Sequence, residues 1–247
     1  AGGNVFVLGH TVENTAQRLV SYAARQGKRR IVTVSAQNAA GELGRSAIAS
    51  AASASGASVV GNVTYSYSQQ GVNAAVGEVA STVSATQADA VFLTSNTDAA
   101  LPFFAQLLPE RGVDPAVTQY IGLTRWDVPP QTLDLPGLQG GWFALPDPTL
   151  AAQFNSRYSA AYGSQPHPLA GLAYDGIAAI GALVKQGKAN ALTAAALTQG
   201  AGFQGVNGVF RFRPNGVVER GLAVATIRDR QVVVVDPAPR GFGGFGF

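Results

Sequence analysis

The chain has 247 residues, a net charge of +3 and only 13% charged residues. This length suits one large α/β domain or two small ones, and either can bury a stable core without covalent staples. Cysteine is absent, which excludes disulfides and thiolate chemistry. The few basic residues are scattered, which argues against a nucleic-acid surface, and no apolar run approaches the roughly 20 residues of a membrane-spanning helix.

The first half of the chain alternates strands with helices. Residues 4–9 predict a short apolar strand, and Thr11 is a good N-cap for a helix with one apolar stripe that ends at Gly27. Further strands are predicted at residues 30–36, 58–65, 88–94, 118–123 and 141–145, and helices at 41–55, 72–85 and 98–108. This alternation predicts a parallel sheet with helices on both faces.

After Pro148 the organisation changes. Thr149 is expected to cap a helix, and residues 168–185 predict a longer helix so apolar that it is expected to be buried. A short helix at 192–198 and two hairpins, at 209–219 and 222–235, follow. Asp175 lies within the longer helix, where aspartate is disfavoured unless it pairs, so a structural hydrogen bond is predicted.

The predicted helices and strands indicate that a second lobe is incomplete. The helices predicted between residues 149 and 221 have no predicted parallel sheet against which to pack. We therefore expect residues 1–145 and 223–239 to form a complete α/β lobe and residues 146–222 to form part of a first lobe. By the usual size of domains, roughly 100 residues of that first lobe would precede Ala1. Residues 240–247 are predicted to be a flexible tail.

The sequence does not predict an enzyme. His10 and His167 are the only histidines, and neither has metal-ligand spacing or stands beside a nucleophile. The acidic residues show no paired-carboxylate pattern. The glycine-rich C-terminus follows no strand and opens no helix, so it lacks the geometry of a phosphate cradle. No metal or cofactor is predicted.

The chain resembles a known family over nearly its whole length. The segments that carry the resemblance are LGHTVENTAQRLVSYAARQGKRRIVTV, QNAAGELGRS, ADAVFLTSNTDAALPFFAQL, PLAGLAYDGIAAIGAL and FQGVNGVFRFRPNGVVERGLAVATIRDRQVV. They are similar to type I periplasmic solute-binding proteins of the leucine/isoleucine/valine-binding kind, especially the branch of penicillin-binding protein activators. The resemblance implies two Rossmann-like lobes, joined by crossovers near residues 4–9, 141–148 and 222–227, that hold a ligand in the cleft between them.

The resemblance also implies a ligand site. The family's aromatic residue before a glycine aligns with Ala40, so the tyrosine that stacks on the ligand is absent. Where amino-acid binders carry a carboxylate for the ligand's ammonium group, this chain has Thr124. The predicted ligand-binding residues are Thr94, Ser95, Asn96, Thr124, Arg125 and Trp126. Two alternatives stay open: Ser95, Asn96 and Thr97 act only as helix caps, and Arg125 with Trp126 only shields a loop.

Two functions follow from the resemblance. The first is an extracytoplasmic receptor of an ABC transporter, located in the bacterial periplasm, that binds a small polar solute, amino-acid-like or peptide-like, and works with a membrane permease. The alternative is a regulator that binds a peptidoglycan synthase through an outer surface. The replaced tyrosine and carboxylate favour a solute other than a simple amino acid, or none. A solute that stabilises the protein against heat would favour the receptor.

Overall fold

The computed structural model of the protein describes residues 5–97, 100–167, 169–187 and 190–242. These residues form two compact units. The sheet unit comprises Thr15–Ala144 and Val224–Asp236. The helix-rich unit comprises the described residues up to Asn14, Leu145–Ala223, and the described residues from Pro237 onward. Each unit has its own core and is described separately.

The helices and strands alternate along the first half of the chain, as predicted. The helices are α1 (Val12–Arg25), α2 (Ala39–Ala54), α3 (Gln69–Thr86), α4 (Leu101–Glu110), α5 (Pro148–Tyr162), α6 (Ala170–Lys185) and α7 (Ala194–Leu197). The strands are β1 (Arg30–Ala36), β2 (Ser58–Tyr65), β3 (Ala90–Leu93), β4 (Gln119–Gly122), β5 (Trp142–Leu145), β6 (Phe203–Gly205), β7 (Gly208–Phe212), β8 (Val218–Arg220), β9 (Ala223–Arg228) and β10 (Gln231–Asp236).

The sheet unit is built around a seven-stranded sheet. Its strand order is β10-β9-β5-β4-β3-β1-β2, and β2, β1, β3, β4 and β5 pair in parallel. Every residue of β3 is buried, as are all residues of β1 after Arg30. Strands buried on both faces are the mark of a sheet covered by helices on both sides. The predicted α/β fold is therefore confirmed.

Helix α1 shows how the local sequence sets these elements. The Thr11 hydroxyl accepts a hydrogen bond from the Asn14 amide at 3.2 Å, which confirms the predicted cap. Ala16, Leu19, Val20 and Ala23 are fully buried, so the apolar stripe faces the core. The helix ends before Gly27, whose φ of 79° lies in the left-handed region that glycine adopts at no steric cost.

The helix-rich unit combines helices with a small antiparallel sheet. Strands β6, β7 and β8 pair in that order. Ala179 and Leu183 of α6 pack on this sheet in one apolar cluster with Phe203, Phe210, Phe212 and Val218. The Val7 amide also donates a hydrogen bond to the Gly216 carbonyl at 2.9 Å, which ties the N-terminal segment to the same unit.

Three predictions for local structure need correction, and one strand was missed. The predicted strand at residues 4–9 is wrong for residues 5–9, where only Val5 forms an isolated bridge, and Asn4 lies outside the described residues. The N-cap of α5 is Asp147 rather than Thr149, because the Asp147 carboxylate accepts the Thr149 and Leu150 amides. Strand β6 was not predicted. The burial expected for α6 holds on one face only.

Of the predicted tail, residues 240–242 are described and make contacts. The Arg240 carbonyl accepts a hydrogen bond from the Gln204 side chain at 2.9 Å. The Arg211 guanidinium lies 4.3 Å from the centre of the Phe242 ring. Residues 243–247 lie outside the described residues.

Candidate functional site

The strand order of the sheet unit places a switch point between β1 and β3. From β1 the chain moves outward to β2 and then returns to the other side of β1 as β3. The connections on the two sides therefore diverge, and in open parallel sheets the resulting crevice outside the carboxyl ends of the strands is where ligands bind. Residues that follow β1, β3 and β4 are thus the best candidates for a site.

Four of the predicted site residues lie together at this carboxyl edge. Thr94, Ser95 and Asn96 directly follow β3, and Thr124 follows β4, its parallel neighbour. The Thr124 hydroxyl donates a hydrogen bond to the Ser95 carbonyl at 3.2 Å, which joins the two loops. The Thr94 hydroxyl donates to the Val34 carbonyl at 3.2 Å. Both threonine oxygens keep lone pairs that can accept further hydrogen bonds.

Among the described residues, no side chain caps the helix that follows Ser95 and Asn96. Helix α4 begins at Leu101, its N-cap position is Ala100, and no side chain caps it. Asn96 contributes its backbone carbonyl, which accepts a hydrogen bond from the Leu101 amide at 3.2 Å. The neighbouring Thr97 hydroxyl donates to the Val128 carbonyl at 3.0 Å.

Arg125 follows Thr124 and forms an ion pair with Asp127. Its Nε donates to Asp127 Oδ1 at 2.9 Å, and its Nη2 contacts Oδ2 of the same carboxylate. The Arg125 side chain is 40% exposed, whereas that of Asp127 is 14% exposed. The fork geometry holds the guanidinium in one orientation and neutralises its charge. Arg125 can still donate to a solute, but it does not present an isolated positive charge.

Trp126 lies in the core of the sheet unit. Its side chain is fully buried and packs on the backbone of Gly122 and Gly141, with the Phe143 ring centre 6.0 Å away. A Cβ atom on Gly122 would stand 2.2 Å from the indole, so only glycine leaves room for this packing. The prediction that Trp126 contacts a solute stays a prediction. Its observed position makes it a support for the loop that carries Thr124 and Arg125.

Two buried hydroxyl groups near the carboxyl edge lack partners. Tyr65 Oη, at the end of β2, and Ser95 Oγ make no hydrogen bond within the described part of the chain, although both residues are almost fully buried. The pKa of Tyr65 is raised, chiefly because burial disfavours the phenolate and further through the neighbouring Tyr67. Ser95 lies near enough to oppose this rise slightly, but the two hydroxyls do not reach hydrogen-bonding geometry.

Replacing Tyr65 with phenylalanine is expected to leave the free energy of unfolding at pH 7 unchanged or raise it by up to about 1 kcal/mol. The change removes a buried hydroxyl that has no partner. Because the folded pKa of Tyr65 exceeds the unfolded value, wild-type stability falls as the pH rises above about 10, and this fall should be smaller in Tyr65→Phe. Urea unfolding between pH 7 and pH 11 measures both effects.

Tyr120→Phe is the matched control. The Tyr120 hydroxyl donates to the Val113 carbonyl at 2.6 Å, and burial likewise raises its pKa. Its loss should cost about 1 kcal/mol at pH 7, because a buried carbonyl loses its partner. Equal losses at pH 7 in the two variants would show that the Tyr65 hydroxyl has a partner after all.

The loop after β1 lies on the other side of the switch point, and the resemblance pointed there only to Ala40, where the stacking tyrosine is absent, and not to Gln37 or Asn38. Gln37 and Asn38 are exposed there, and the Asn38 carboxamide caps α2 by accepting the Gly41 amide at 2.8 Å. Gly41 lies so close to β1 that a Cβ atom would stand 2.0 Å from the Ala36 carbonyl oxygen. The cap-plus-glycine spacing Asn-x-x-Gly after a buried strand was the available signal.

The helix-rich unit confirms the prediction for Asp175. Its carboxylate accepts the Val206 amide at 2.7 Å and pairs with the Arg220 guanidinium at 2.7 Å. In the described ranges, no group of three or more His, Asp or Glu side chains is arranged to hold a metal ion. None of the helices in those ranges is both long and apolar enough to cross a membrane.

The parallel sheet with its switch point, and the polar edge beside it, define a ligand-binding α/β protein. A model of the family described as periplasmic binding protein matches residues 1–231. The chain therefore belongs to the periplasmic binding protein family, and the resemblance drawn from the sequence is confirmed. A search of curated proteins found no match.

Solved structures with the same fold are proteins of ABC transport. One is a Rhodospirillum rubrum protein assigned to branched-chain amino acid ABC transport, with a TM-score of 0.76, 20% identity, and coverage of 93% of this chain and 67% of that one. A Desulfitobacterium hafniense substrate-binding protein in complex with Leu has a TM-score of 0.66, 18% identity, and coverage of 91% and 65%. A solute-binding protein of R. palustris in complex with benzoate has a TM-score of 0.64, 18% identity, and coverage of 98% and 67%.

The chain thus spans about two thirds of the length of the structures it resembles. At these identities the likeness shows the fold. All three proteins are described as parts of ABC transporters.

Proposed function

We propose that the protein is a receptor of an ABC transporter that binds a small polar solute at the carboxyl edge of the sheet unit. The observation that carries the proposal is the family match over residues 1–231, together with a switch point whose flanking loops are polar. The proposed location is the bacterial periplasm, the proposed partner is a membrane permease, and binding without catalysis is the proposed activity.

The proposed contacts come from the loops after β3 and β4. Thr94, Asn96 and Thr124 offer hydroxyl and amide groups, and Arg125 adds donors on a guanidinium already paired with Asp127. Ser95 adds a buried hydroxyl that has no partner among the described residues. Such a set suits a carboxylate, which accepts hydrogen bonds only. Trp126 makes no proposed contact of its own, and its buried ring supports the loop that carries Thr124 and Arg125.

The same residues disfavour an ammonium group on the solute. Thr124 has no charge, and the nearby Asp127 carboxylate is engaged by Arg125. A solute amine would therefore lose its hydration without gaining an ionic partner. Among amino-acid-like and peptide-like solutes, we propose a small carboxylate without a free α-amino group. The Desulfitobacterium hafniense protein binds Leu and the R. palustris protein binds benzoate, and this chain should prefer the second kind.

Thermal unfolding with added solutes tests the proposal. We expect benzoate and related carboxylates to raise Tm, and leucine to raise it less. A solute present at 100 times its Kd stabilises a protein by about 2.7 kcal/mol.

Thr124→Val should raise the Kd of the solute about tenfold, because the substitution keeps the shape of the side chain and removes its hydroxyl.

Thr86→Val is the control for this substitution. The Thr86 hydroxyl donates to the Thr82 carbonyl within α3, away from the carboxyl edge. It should leave the Kd unchanged. If no carboxylate, amino acid or short peptide shifts Tm, and the protein instead captures a peptidoglycan synthase, the receptor proposal is wrong.

A further inference from the structure

Exposed apolar side chains gather at the carboxyl edge of the sheet unit. Among the described residues of this unit, the large apolar side chains that are exposed are those of Leu43, Tyr67, Phe103, Val117, Val128 and Val234. All of them except Val117 and Val234 lie at the carboxyl edge. Single exposed apolar residues are ordinary on a protein surface, whereas a group of them at one edge indicates a binding surface.

The fold explains why these residues share one edge. Helices α2, α3 and α4 each follow a parallel strand, so each of them begins at the carboxyl edge. Leu43 lies near the start of α2, Tyr67 precedes α3 by two residues, and Phe103 lies in the first turn of α4. Val128 follows β4, and its carbonyl accepts the hydrogen bond from Thr97, which follows β3.

Leu43 lies beside the polar residues of the proposed solute site. Gly44, the next residue of α2, packs so closely on Thr94 that a Cβ atom on this glycine would stand 3.2 Å from Thr94 Cγ2. Side chains in a helix lean toward its N-terminus, which for α2 is the carboxyl edge. The Leu43 side chain is 47% exposed there. It therefore offers an apolar surface next to Thr94.

Tyr67 lies on the opposite face of the sheet from Leu43. The connection from β1 to β2 and the return from β2 to β3 run in opposite directions, so right-handed crossovers place α2 and α3 on opposite faces. The Tyr67 ring centre is 5.8 Å from that of Tyr65, which in turn is 5.1 Å from that of Phe104 in α4. Tyr67 is 58% exposed, so its ring is open to a solute.

The polar loop after β3 runs between these two apolar side chains. On one side Thr94 packs on α2, and on the other Ser95 lies near Tyr65. Sites for small molecules typically combine mostly apolar side chains with a few polar groups that fix the orientation of the ligand. This arrangement suits a solute that has a carboxylate at one end and an apolar body at the other.

We propose that Leu43 and Tyr67 are specificity-determining residues, which contact the apolar body of a carboxylate solute and select bulky carboxylates over small ones. The proposal rests on the proposed function, because the carboxylate itself is assigned to the polar residues of the same edge. The free energy gained from apolar burial is roughly proportional to the area removed from water. Acetate offers almost no such area, whereas benzoate offers a whole ring.

Calorimetric titration of the 247-residue chain with benzoate, and with acetate in competition with benzoate, tests the proposal. The Kd for acetate should exceed that for benzoate at least about tenfold. Leu43→Ala and Tyr67→Ala should each raise the benzoate Kd by about threefold to tenfold and change the acetate Kd by less than about twofold. Because both side chains are exposed, the Tm without solute should stay unchanged in both variants.

Two controls separate the body of the solute from its carboxylate. Thr124→Val should raise the Kd of acetate and that of benzoate by the same factor, because it removes a hydroxyl that is proposed to contact the carboxylate of both. Val117→Ala should change neither Kd, since Val117 is 70% exposed and precedes β4, at the opposite edge of the sheet.

Three results would overturn the proposal. The first is a benzoate Kd that is unchanged in both Leu43→Ala and Tyr67→Ala. The second is an equal rise of the acetate Kd and the benzoate Kd in these variants. Either result would leave the proposed function intact. The third is a wild-type chain that binds neither acetate nor benzoate, which would contradict the carboxylate solute of the proposed function as well.

Discussion

Replacing Arg220 with methionine is expected to lower the free energy of unfolding by about 3–5 kcal/mol. The side chains of Arg220 and Asp175 are almost fully buried, and they form an ion pair at 2.7 Å. Arg220 Nε also donates to the Leu8 carbonyl at 3.0 Å, and its guanidinium lies 4.8 Å from the Phe210 ring. The variant would leave the Asp175 carboxylate buried without a counter-charge. Urea unfolding followed by circular dichroism measures the loss.

Two further variants test whether the buried charge is the cause. Arg213→Met should cost less than about 1 kcal/mol, because Arg213 is 48% exposed and its pair with Glu219 is open to water. Adding Asp175→Asn to Arg220→Met should restore part of the lost stability, because the amide oxygen can still accept from the Val206 amide. A double variant less stable than Arg220→Met alone would contradict this explanation.

The sequence predicted the longer parallel strands well. The predicted bounds 30–36 and 58–65 are those of β1 and β2. Runs of β-branched residues between turn residues fix both ends of such strands. The shorter β3 was predicted too long, at 88–94, because the ends of a short buried strand are set by pairing with β1 and β4. Strand β6 has only three residues, too few for a periodic signal.

The exposed outer face of α6 was beyond sequence analysis. Composition and periodicity show that Ile177 and Val184 are apolar, but they do not show whether a partner covers them. Only the position of the helix within the helix-rich unit reveals that one apolar face packs on a sheet, whereas Ile177 and Val184 on the other face are exposed among the described residues. The cap of α5 was within reach, since Asp147 directly precedes a proline at the first helical position.

The candidate site was predictable only in part. The resemblance to the family implied Thr94, Ser95 and Thr124 as site residues, and the hydrogen bond from Thr124 to Ser95 shows that these two residues lie close together. The pairing of Arg125 with Asp127 is signalled by their spacing along one loop. The burial of Trp126 was not signalled, since it depends on the space left by Gly122 and Gly141, which come together only in the folded sheet.

Replacing Trp126 with alanine is expected to lower the free energy of unfolding by about 3–5 kcal/mol. The indole is fully buried, and its removal would leave a large cavity beside Gly122 and Gly141. Trp126→Phe should cost less, because it keeps most of the apolar contact and removes an indole Nε1 that has no partner among the described residues. Equilibrium unfolding measures both losses. A Trp126→Ala variant as stable as wild type would place the indole outside the core.

The contact between Gly122 and Trp126 makes this prediction specific. A Cβ atom at Gly122 would stand 2.2 Å from the indole, so Gly122→Ala should destabilise the protein by about 1–3 kcal/mol. In a Trp126→Ala background the added methyl group at Gly122 has space, so the double variant should be no less stable than Trp126→Ala alone. Gly77→Ala, in the interior of α3, is the control, because no atom lies within 4 Å of the Cβ position of Gly77. This control substitution should stabilise the protein by about 0.5–1 kcal/mol. Additive losses at Gly122 and Trp126 would show that the indole does not rest on that glycine.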